Sequence, residues 1–137
     1  NLTTTRYQEK QIIQLVNDEN FIVNSANVKD KFGDSGITGV FIIKKTTNEW
    51  ILDTFLLSCR VMGRNIENAI ISFILSDAKK QNISMVKGKF IPTEKNQPAS
   101  SFYLDSGFRK EKNFWVFRLG DKIKTPKYIS INNKDNV

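Results

Sequence analysis

The sequence has 137 residues and a net charge of +7, with 39% hydrophobic residues, one cysteine and no histidine. This length and apolar content fit one domain that folds without disulfides. Without histidine the chain holds no Ser-His-Asp triad, and one cysteine cannot complete a usual zinc site. No apolar stretch approaches the roughly 20 residues of a spanning helix. We therefore predict no metal site and no membrane contact, and the lone cysteine favours a cytoplasmic location.

The positive charge suits an acidic partner, whether nucleic acid, the phosphates of coenzyme A or an acidic carrier protein. The basic residues are scattered, however, which is equally typical of a solvated surface. No ladder of aromatic and basic residues indicates nucleic acid binding, so we predict none. Because the sequence begins at Asn1 rather than Met, we expect it to be part of a longer protein.

The first half of the chain predicts one helix and three strands. In chain order these are a helix over 6–17 with a Thr5–Gln8 capping box, a strand from Phe21 to Val28, a loop from Asp30 to Gly36, a strand from Ile37 to Lys44, a turn from Thr46 to Glu49, and a strand from Trp50 to Leu57. The last two strands should pair antiparallel across their turn.

The second half begins with the clearest amphipathic helix, whose apolar positions are Ile66, Ala69, Ile70, Phe73, Ile74 and Ala78. After it we predict a strand over 83–91, a short helix over 98–105, one bent or two separate strands over 108–119, and a polar tail from Gly120 with a candidate edge strand at 127–131. Strand, helix and strand in succession indicate a parallel pair. The predicted fold is α/β (α+β), a mixed central sheet with flanking helices.

A turn joins the strand that ends at Leu57 to the helix that begins at Ile66. Helix N-termini present free N–H groups and a positive dipole, and arginines here add charge that would suit a pyrophosphate. The candidate contacts are Leu57, Arg60, Val61, Met62, Gly63, Arg64 and Asn65. On spacing alone, an ordinary turn with two solvated arginines is the favoured interpretation.

The segment Arg60–Asn65 resembles the pyrophosphate signature of GNAT acyltransferases, Gln/Arg-x-x-Gly-x-Gly/Ala, with Asn65 in place of the final small residue. The segment Asn96–Phe108 resembles that family's Asn-x-x-Ala-x-x-x-Tyr-x-x-x-Gly-Phe element. The resemblance implies phosphopantetheine or coenzyme A as the cofactor, Asn96 along the pantetheine arm, and Tyr103 as the acid that protonates a leaving thiolate. Alternatively, Phe102 and Tyr103 simply pack the short helix on the sheet.

A narrower resemblance rests on three ordered segments, Asp30–Gly36, Trp50–Arg64 and Ile91–Asn96. Together they are similar to the C-terminal half of FkbH-like proteins, over roughly residues 1–119. The resemblance implies transfer of a glyceryl group, drawn from 1,3-bisphosphoglycerate, to the phosphopantetheine thiol of an acyl carrier protein for methoxymalonyl-type polyketide extender units. It also implies an upstream haloacid-dehalogenase-like phosphatase domain. We then expect a linker at 1–7, a GNAT-like domain over 1–120 and a polar tail over 121–137.

Cys59 and Asp53 are the remaining catalytic candidates. Cys59 lies between a strand and a helix N-terminus, near two arginines, and these surroundings favour the thiolate that would carry an acyl group as a thioester. It could equally be a small buried hydrophobe. Asp53 could serve as a base or orient the substrate, or be an outward, solvated carboxylate.

Two other functions stay open on this sequence. One is an acetyl-CoA-dependent N-acetyltransferase, a function that the phosphate-binding turn by itself would indicate. The other is a non-catalytic docking module for a carrier protein, a function that the positive net charge by itself would indicate.

Overall fold

The computed structural model of the protein describes residues 8–58, 60–61, 63–89 and 102–133. Their helices and strands are α1 (Glu9–Val16), β1 (Phe21–Asp30), β2 (Gly33–Lys45), β3 (Glu49–Leu57), α2 (Ile66–Lys80), β4 (Met85–Lys89), β5 (Arg109–Glu111) and β6 (Phe114–Arg118). The strands form one six-stranded sheet in the order β1-β2-β3-β4-β6-β5. Only the β3–β4 pair is parallel among these neighbours, so the predicted mixed sheet is confirmed.

The long β1–β2 hairpin corrects the predicted loop over 30–36. β1 pairs with β2 as far as Asp30 opposite Gly33, which leaves Lys31 and Phe32 as the connecting residues. The Asp30 carboxylate accepts a hydrogen bond from the Phe32 N–H at 2.8 Å, a side-chain turn of the kind Asp favours. Turn-forming residues thus lie within the hairpin ladder itself, and their composition alone indicated a loop.

The predicted antiparallel β2–β3 hairpin and the parallel β3–β4 pair are both confirmed. β3 and β4 pair in register from Glu49 opposite Met85 to Leu52 opposite Gly88. β3 then runs on to Leu57, with no further pairing to β4 among the described residues. Leu52 opposite Gly88 is thus the last β3–β4 pair among the described residues.

β3 has a bulge next to its last described pair with β4. Ile42 pairs with Thr54 and Ile43 with Leu52, so Asp53 is an extra residue in β3. The bulge shifts the inward-facing positions of β3, since Trp50 and Leu52 lie in the core before it and Phe55 and Leu57 lie there after it. Bulges commonly re-aim side chains beside functional sites.

α2 packs on the sheet through positions that differ from the predicted stripe. Its buried residues are Ala69, Ile71, Ser72, Ile74, Leu75 and Ala78, whereas Ile70 and Phe73 are only partly buried. The helix is apolar on several sides, so periodicity alone gave the wrong centre of its buried face. Its apolar residues join a single core with the aromatic residues of β3, β6 and the segment after residue 101.

Both ends of the described chain differ from expectation. α1 begins at Glu9 after Gln8, whose N–H donates to the Gln11 side chain, so Gln8 and not Thr5 lies at the helix start. α1 buries none of its residues. The candidate edge strand at 127–131 does not form, because Tyr128 has a φ of 68° and is fully exposed, leaving no buried face to support a strand. The two-strand alternative for 108–119 is confirmed as β5 and β6.

Candidate active site

The turn that follows β3 is fixed from both sides. The Ser58 N–H donates to the Thr38 carbonyl of β2 at 2.7 Å, and the Val61 N–H donates to the Ser58 carbonyl at 3.1 Å. The side chains of Leu57 and Val61 are buried in the core. These two predicted cofactor contacts could therefore act only through their backbone groups, and the turn is held in place whether or not a ligand is bound.

The backbone of the turn alternates in a way that suits an anion. Gly63 has a φ of 80° and Asn65 a φ of 62°, with Arg64 between them outside the left-handed region. A side chain at Gly63 would meet nothing within 4 Å, so the space beside it is open. Left-handed residues in a turn help to direct backbone N–H groups toward a bound anion. At Gly63 the positive φ uses the conformational freedom of glycine.

Asn65 adopts the left-handed conformation but makes no side-chain capping bond to α2, contrary to its expected capping role. The first intrahelical bond in this region joins the Ala69 N–H to the Asn65 carbonyl at 3.0 Å. The N–H groups of residues 66–68 therefore point out of the helix end with no cap from Asn65. Such donors, together with the helix dipole, fit a phosphate.

The two arginines of the turn reach across to the β1–β2 hairpin. Arg64 donates to the Asp30 carboxylate at 2.7 Å, and this hydrogen bond holds the pKa of Asp30 below its usual value. Arg60 contacts the Ser58 hydroxyl at 3.2 Å and the Ser35 carbonyl at 3.5 Å. Arg60 makes no ion pair among the described residues, whereas the charge of Arg64 is shared with a carboxylate. Arg60 is thus the freer cation for a phosphate.

Asp53 and Gly88 lie close together at the end of the described β3–β4 pairing. Asp53 is half-buried, and its carboxylate accepts a hydrogen bond from the Thr54 hydroxyl at 3.3 Å. It is not a fully outward, solvated residue. Gly88 belongs to the last described β3–β4 pair, directly beside the bulge. The predicted carboxylate therefore lies next to Gly88, on the neighbouring strand.

Tyr103 packs against Gly88, in a segment whose residues 102–105 are helical. A Cβ added to Gly88 would lie 2.6 Å from the Tyr103 hydroxyl oxygen, so the phenol covers the Gly88 backbone. The ring stacks on Trp115 at 6.0 Å between centroids and contacts Phe108 at 5.3 Å. Tyr103 is fully buried, and this burial raises the pKa of its phenol above the ordinary value. The hydroxyl is therefore protonated, but it is a weaker acid than an exposed tyrosine.

One contact links this segment to the phosphate turn. The Asn68 side chain, in the first turn of α2, donates to the Ser106 hydroxyl at 3.0 Å. The start of α2 and the segment that contains Tyr103 are therefore joined directly.

Three predicted site residues, Cys59, Met62 and Asn96, lie outside the described residues. Sequence reasoning missed Asp30 and Gly88. Asp30 is predicted from the sequence only as part of a loop, although an aspartate close to glycine in a turn often accepts a hydrogen bond from a nearby backbone N–H. Gly88 carried a usable signal, since a glycine inside a strand often marks the close approach of another group.

A larger groove, of about 440 Å³, lies on the other side of the sheet along β4 and β6, with Lys87, Glu111 and Arg118 among its lining residues. Two of the cations that line it are already paired, because Lys87 contacts Glu49 at 3.2 Å and Arg118 contacts Glu111 at 2.8 Å. Lys112 also lines it and has no carboxylate partner among the described residues. The turn after β3 combines a cation with the uncapped N–H groups of a helix start and is the better candidate site for a phosphate.

In the part of the chain that the structure describes, no helix is long and apolar enough to cross a membrane. Over the same residues, no group of three or more His, Cys, Asp and Glu side chains is placed to hold a metal ion.

No protein-family model and no curated protein matches the sequence. Solved structures do match. The ribosomal-protein-S18-alanine N-acetyltransferase from Escherichia coli has a TM-score of 0.67 at 9% identity, over 93% of this chain and 84% of that one. A GNAT-family acetyltransferase from Staphylococcus aureus has a TM-score of 0.62 at 18% identity, over 80% and 75%.

A third similar structure is the PaiA N-acetyltransferase from Thermoplasma acidophilum in complex with coenzyme A, with a TM-score of 0.59 at 18% identity, over 78% of this chain and 65% of that one. The chain therefore has the GNAT acetyltransferase fold, as predicted. These likenesses establish the architecture, and the chemistry must be argued from the site.

Proposed function

We propose that this chain is an acyltransferase domain that transfers a glyceryl group to the phosphopantetheine thiol of an acyl carrier protein. The observation that carries the proposal is the turn after β3, where left-handed Gly63 and Asn65 precede an uncapped helix start, with the Tyr103 phenol on Gly88 of the neighbouring strand. The choice of glyceryl and of a carrier rests on the resemblance of residues 30–36, 50–64 and 91–96 to FkbH-like proteins.

The residues present fit a phosphopantetheine arm. Left-handed Gly63 and Asn65, the open space at Gly63 and the uncapped start of α2 suit its phosphate, with Arg60 as the added cation. When bound, the arm supplies a thiol as acyl acceptor.

In the proposed reaction, Tyr103 would hold a proton at its hydroxyl oxygen and deliver it to the Cys59 sulfur when that sulfur leaves. Asp53, half-buried and hydrogen-bonded to Thr54, would orient the reacting group or accept its proton. In this scheme Cys59 is the residue that carries the acyl group between donor and carrier. Its thiolate would attack the acyl-phosphate carbonyl carbon of 1,3-bisphosphoglycerate, a C–S bond would form, and the C1 phosphate would leave. At the phosphatase domain that the resemblance implies, water would cleave the remaining phosphate ester, which releases inorganic phosphate and leaves a glyceryl group. The carrier thiol would then lose its proton and attack the thioester carbonyl, and the Cys59 sulfur would leave.

The test is transfer itself, measured as intact mass. When the full-length protein is mixed with 1,3-bisphosphoglycerate and a holo acyl carrier protein, we expect the carrier to gain one glyceryl group. Without carrier, the same mass gain should appear on this domain and vanish in Cys59→Ser. Full transfer by Cys59→Ser would remove Cys59 from the scheme while leaving the transferase function in place. No adduct on either protein, with the phosphatase half active, would contradict the proposed function.

A second candidate is an acetyl-CoA-dependent N-acetyltransferase. The similar structures from E. coli and T. acidophilum are both N-acetyltransferases, and the latter was solved with coenzyme A. Acetyl-CoA turnover with an amine acceptor, and none with a carrier thiol, would favour this alternative.

A further inference from the structure

The β1–β2 connection stands beside the phosphate turn as an ordered projection. We call Lys29–Asp34 the hairpin tip. The Asp30 carboxylate both accepts from the Phe32 N–H and binds Arg64 of the turn at 2.7 Å. At the end of the hairpin tip, the Asp34 carboxylate accepts a hydrogen bond from the Gly36 N–H at 2.7 Å. The tip is thereby fixed in shape and tied to the phosphate turn.

The tip presents an apolar side chain to solvent. Phe32 is 86% exposed, and Lys31 lies over its ring at 5.0 Å. Two further exposed hydrophobics follow at this end of the sheet, Ile37 at 68% and Leu56 at 40%. Both line a groove of about 330 Å³ between β2 and β3 that ends at Ser58, where the phosphate turn begins. Apolar surface of this kind, rimmed by charge, is typical of a binding surface.

The groove also contains a hydroxyl that lacks a partner. The Thr38 side chain is only 5% exposed and lines the groove, and its Oγ1 has no hydrogen-bond partner among the described residues. A buried hydroxyl without a partner is costly, so a bound molecule that supplies one would be favoured.

The charges around the tip favour an acidic partner. Lys29 pairs with Asp34 at 3.8 Å and Arg64 with Asp30 at 2.7 Å, so the two carboxylates are neutralised within the protein. Lys31 and Arg60 have no carboxylate partner among the described residues. Two free cations therefore flank the exposed apolar surface, in a chain of net charge +7.

We propose that the hairpin tip and the adjoining β2–β3 groove are the docking surface for the body of an acidic, phosphopantetheine-bearing carrier domain. This inference rests on the proposed function. A carrier is joined to its phosphopantetheine through the same phosphate that the turn would hold, so the carrier must sit directly outside that turn. Phe32 and the groove would receive apolar side chains of the carrier, and Lys31 would face its carboxylates while Arg60 binds the phosphate of the arm.

The experiment compares a large ligand with a small one. Affinities of the chain for a holo acyl carrier protein of net negative charge, and for free coenzyme A, would be measured by calorimetry for wild type, Phe32→Ser and Lys31→Glu. Val16→Ser is the matched control, because Val16 is 61% exposed on α1, whose contacts are with β1. All three altered side chains are solvent-exposed, and equal melting temperatures would verify the fold.

We expect Phe32→Ser and Lys31→Glu each to weaken carrier binding by about tenfold or more, with coenzyme A affinity changed less than twofold. Val16→Ser should alter neither. Unchanged carrier affinity in both tip variants would overturn the docking surface. If those variants also transferred glyceryl normally, the proposed function would survive its loss. A wild-type chain that binds coenzyme A but no carrier would overturn both.

Discussion

Replacing Tyr103 by Phe is expected to lower acyl transfer by about 100- to 10,000-fold, the usual contribution of a positioned general acid. The ring would keep its contacts with Trp115 and Phe108, so the change removes the hydroxyl and little of the packing. The measurement is the rate of carrier acylation at saturating carrier. Tyr128→Phe is the matched control, because Tyr128 is fully exposed and should transfer at the wild-type rate.

A loss of activity through acid catalysis differs from a loss through structure. In the proposed scheme the leaving sulfur is that of Cys59, so protonation by Tyr103 assists transfer from Cys59 to the carrier and not the loading of Cys59 by the acyl phosphate. Tyr103→Phe should therefore load Cys59 at close to the wild-type rate and slow only the second step. A merely structural role for the hydroxyl would slow both steps. Transfer by Tyr103→Phe within about threefold of wild type would exclude Tyr103 as the acid.

Replacing Gly88 by Ala is expected to destabilise the protein by about 1–3 kcal/mol, the usual range for overpacking a core. The added methyl group would lie 2.6 Å from the Tyr103 hydroxyl oxygen, and the phenol is confined by Phe102, Phe108 and Trp115. The melting temperature should fall by roughly 5–10 °C. Because Tyr103 must move, transfer should fall as well.

Gly120→Ala is the matched control for Gly88→Ala, since a Cβ at Gly120 would meet no atom within 4 Å. Its melting temperature should stay within about 2 °C of wild type, as is usual for a surface change. If Gly88→Ala were equally harmless, the phenol would not lie on the Gly88 backbone as described. The proposed position of Tyr103 beside Gly88 as the general acid would then be wrong.

The regular elements were predictable wherever periodicity and turn signals agreed. The β2–β3 hairpin and the start of α2 at Ile66 follow from alternation, a clear turn and a helical repeat. The end of β1 and the start of β2 did not follow, because Asp30 and Gly33 belong to the ladder while having the composition of a loop. The isolated Tyr128–Ile131 pattern predicted a strand, but alternation without a buried face forms none.

The site was predictable only in its parts. The glycine–arginine turn and Tyr103 could be selected from the sequence through a family resemblance, yet nothing local shows that Tyr103 covers Gly88 or that Asp53 is a bulge residue. Both facts depend on strand register, which pairs residues distant in sequence. The Arg64–Asp30 contact likewise joins residues 34 positions apart, and it changes the expected role of Arg64 from a free cation to one shared with a carboxylate.

The most direct measurement of the central claim is a map of backbone amide NMR shifts in the ¹⁵N-labelled chain as coenzyme A is added. We expect the largest shifts at Gly63–Asn68, with further shifts along β3 from Asp53 to Leu57. Shifts confined to the β4–β6 groove around Lys87 and Arg118, or no shift at millimolar ligand, would contradict that claim.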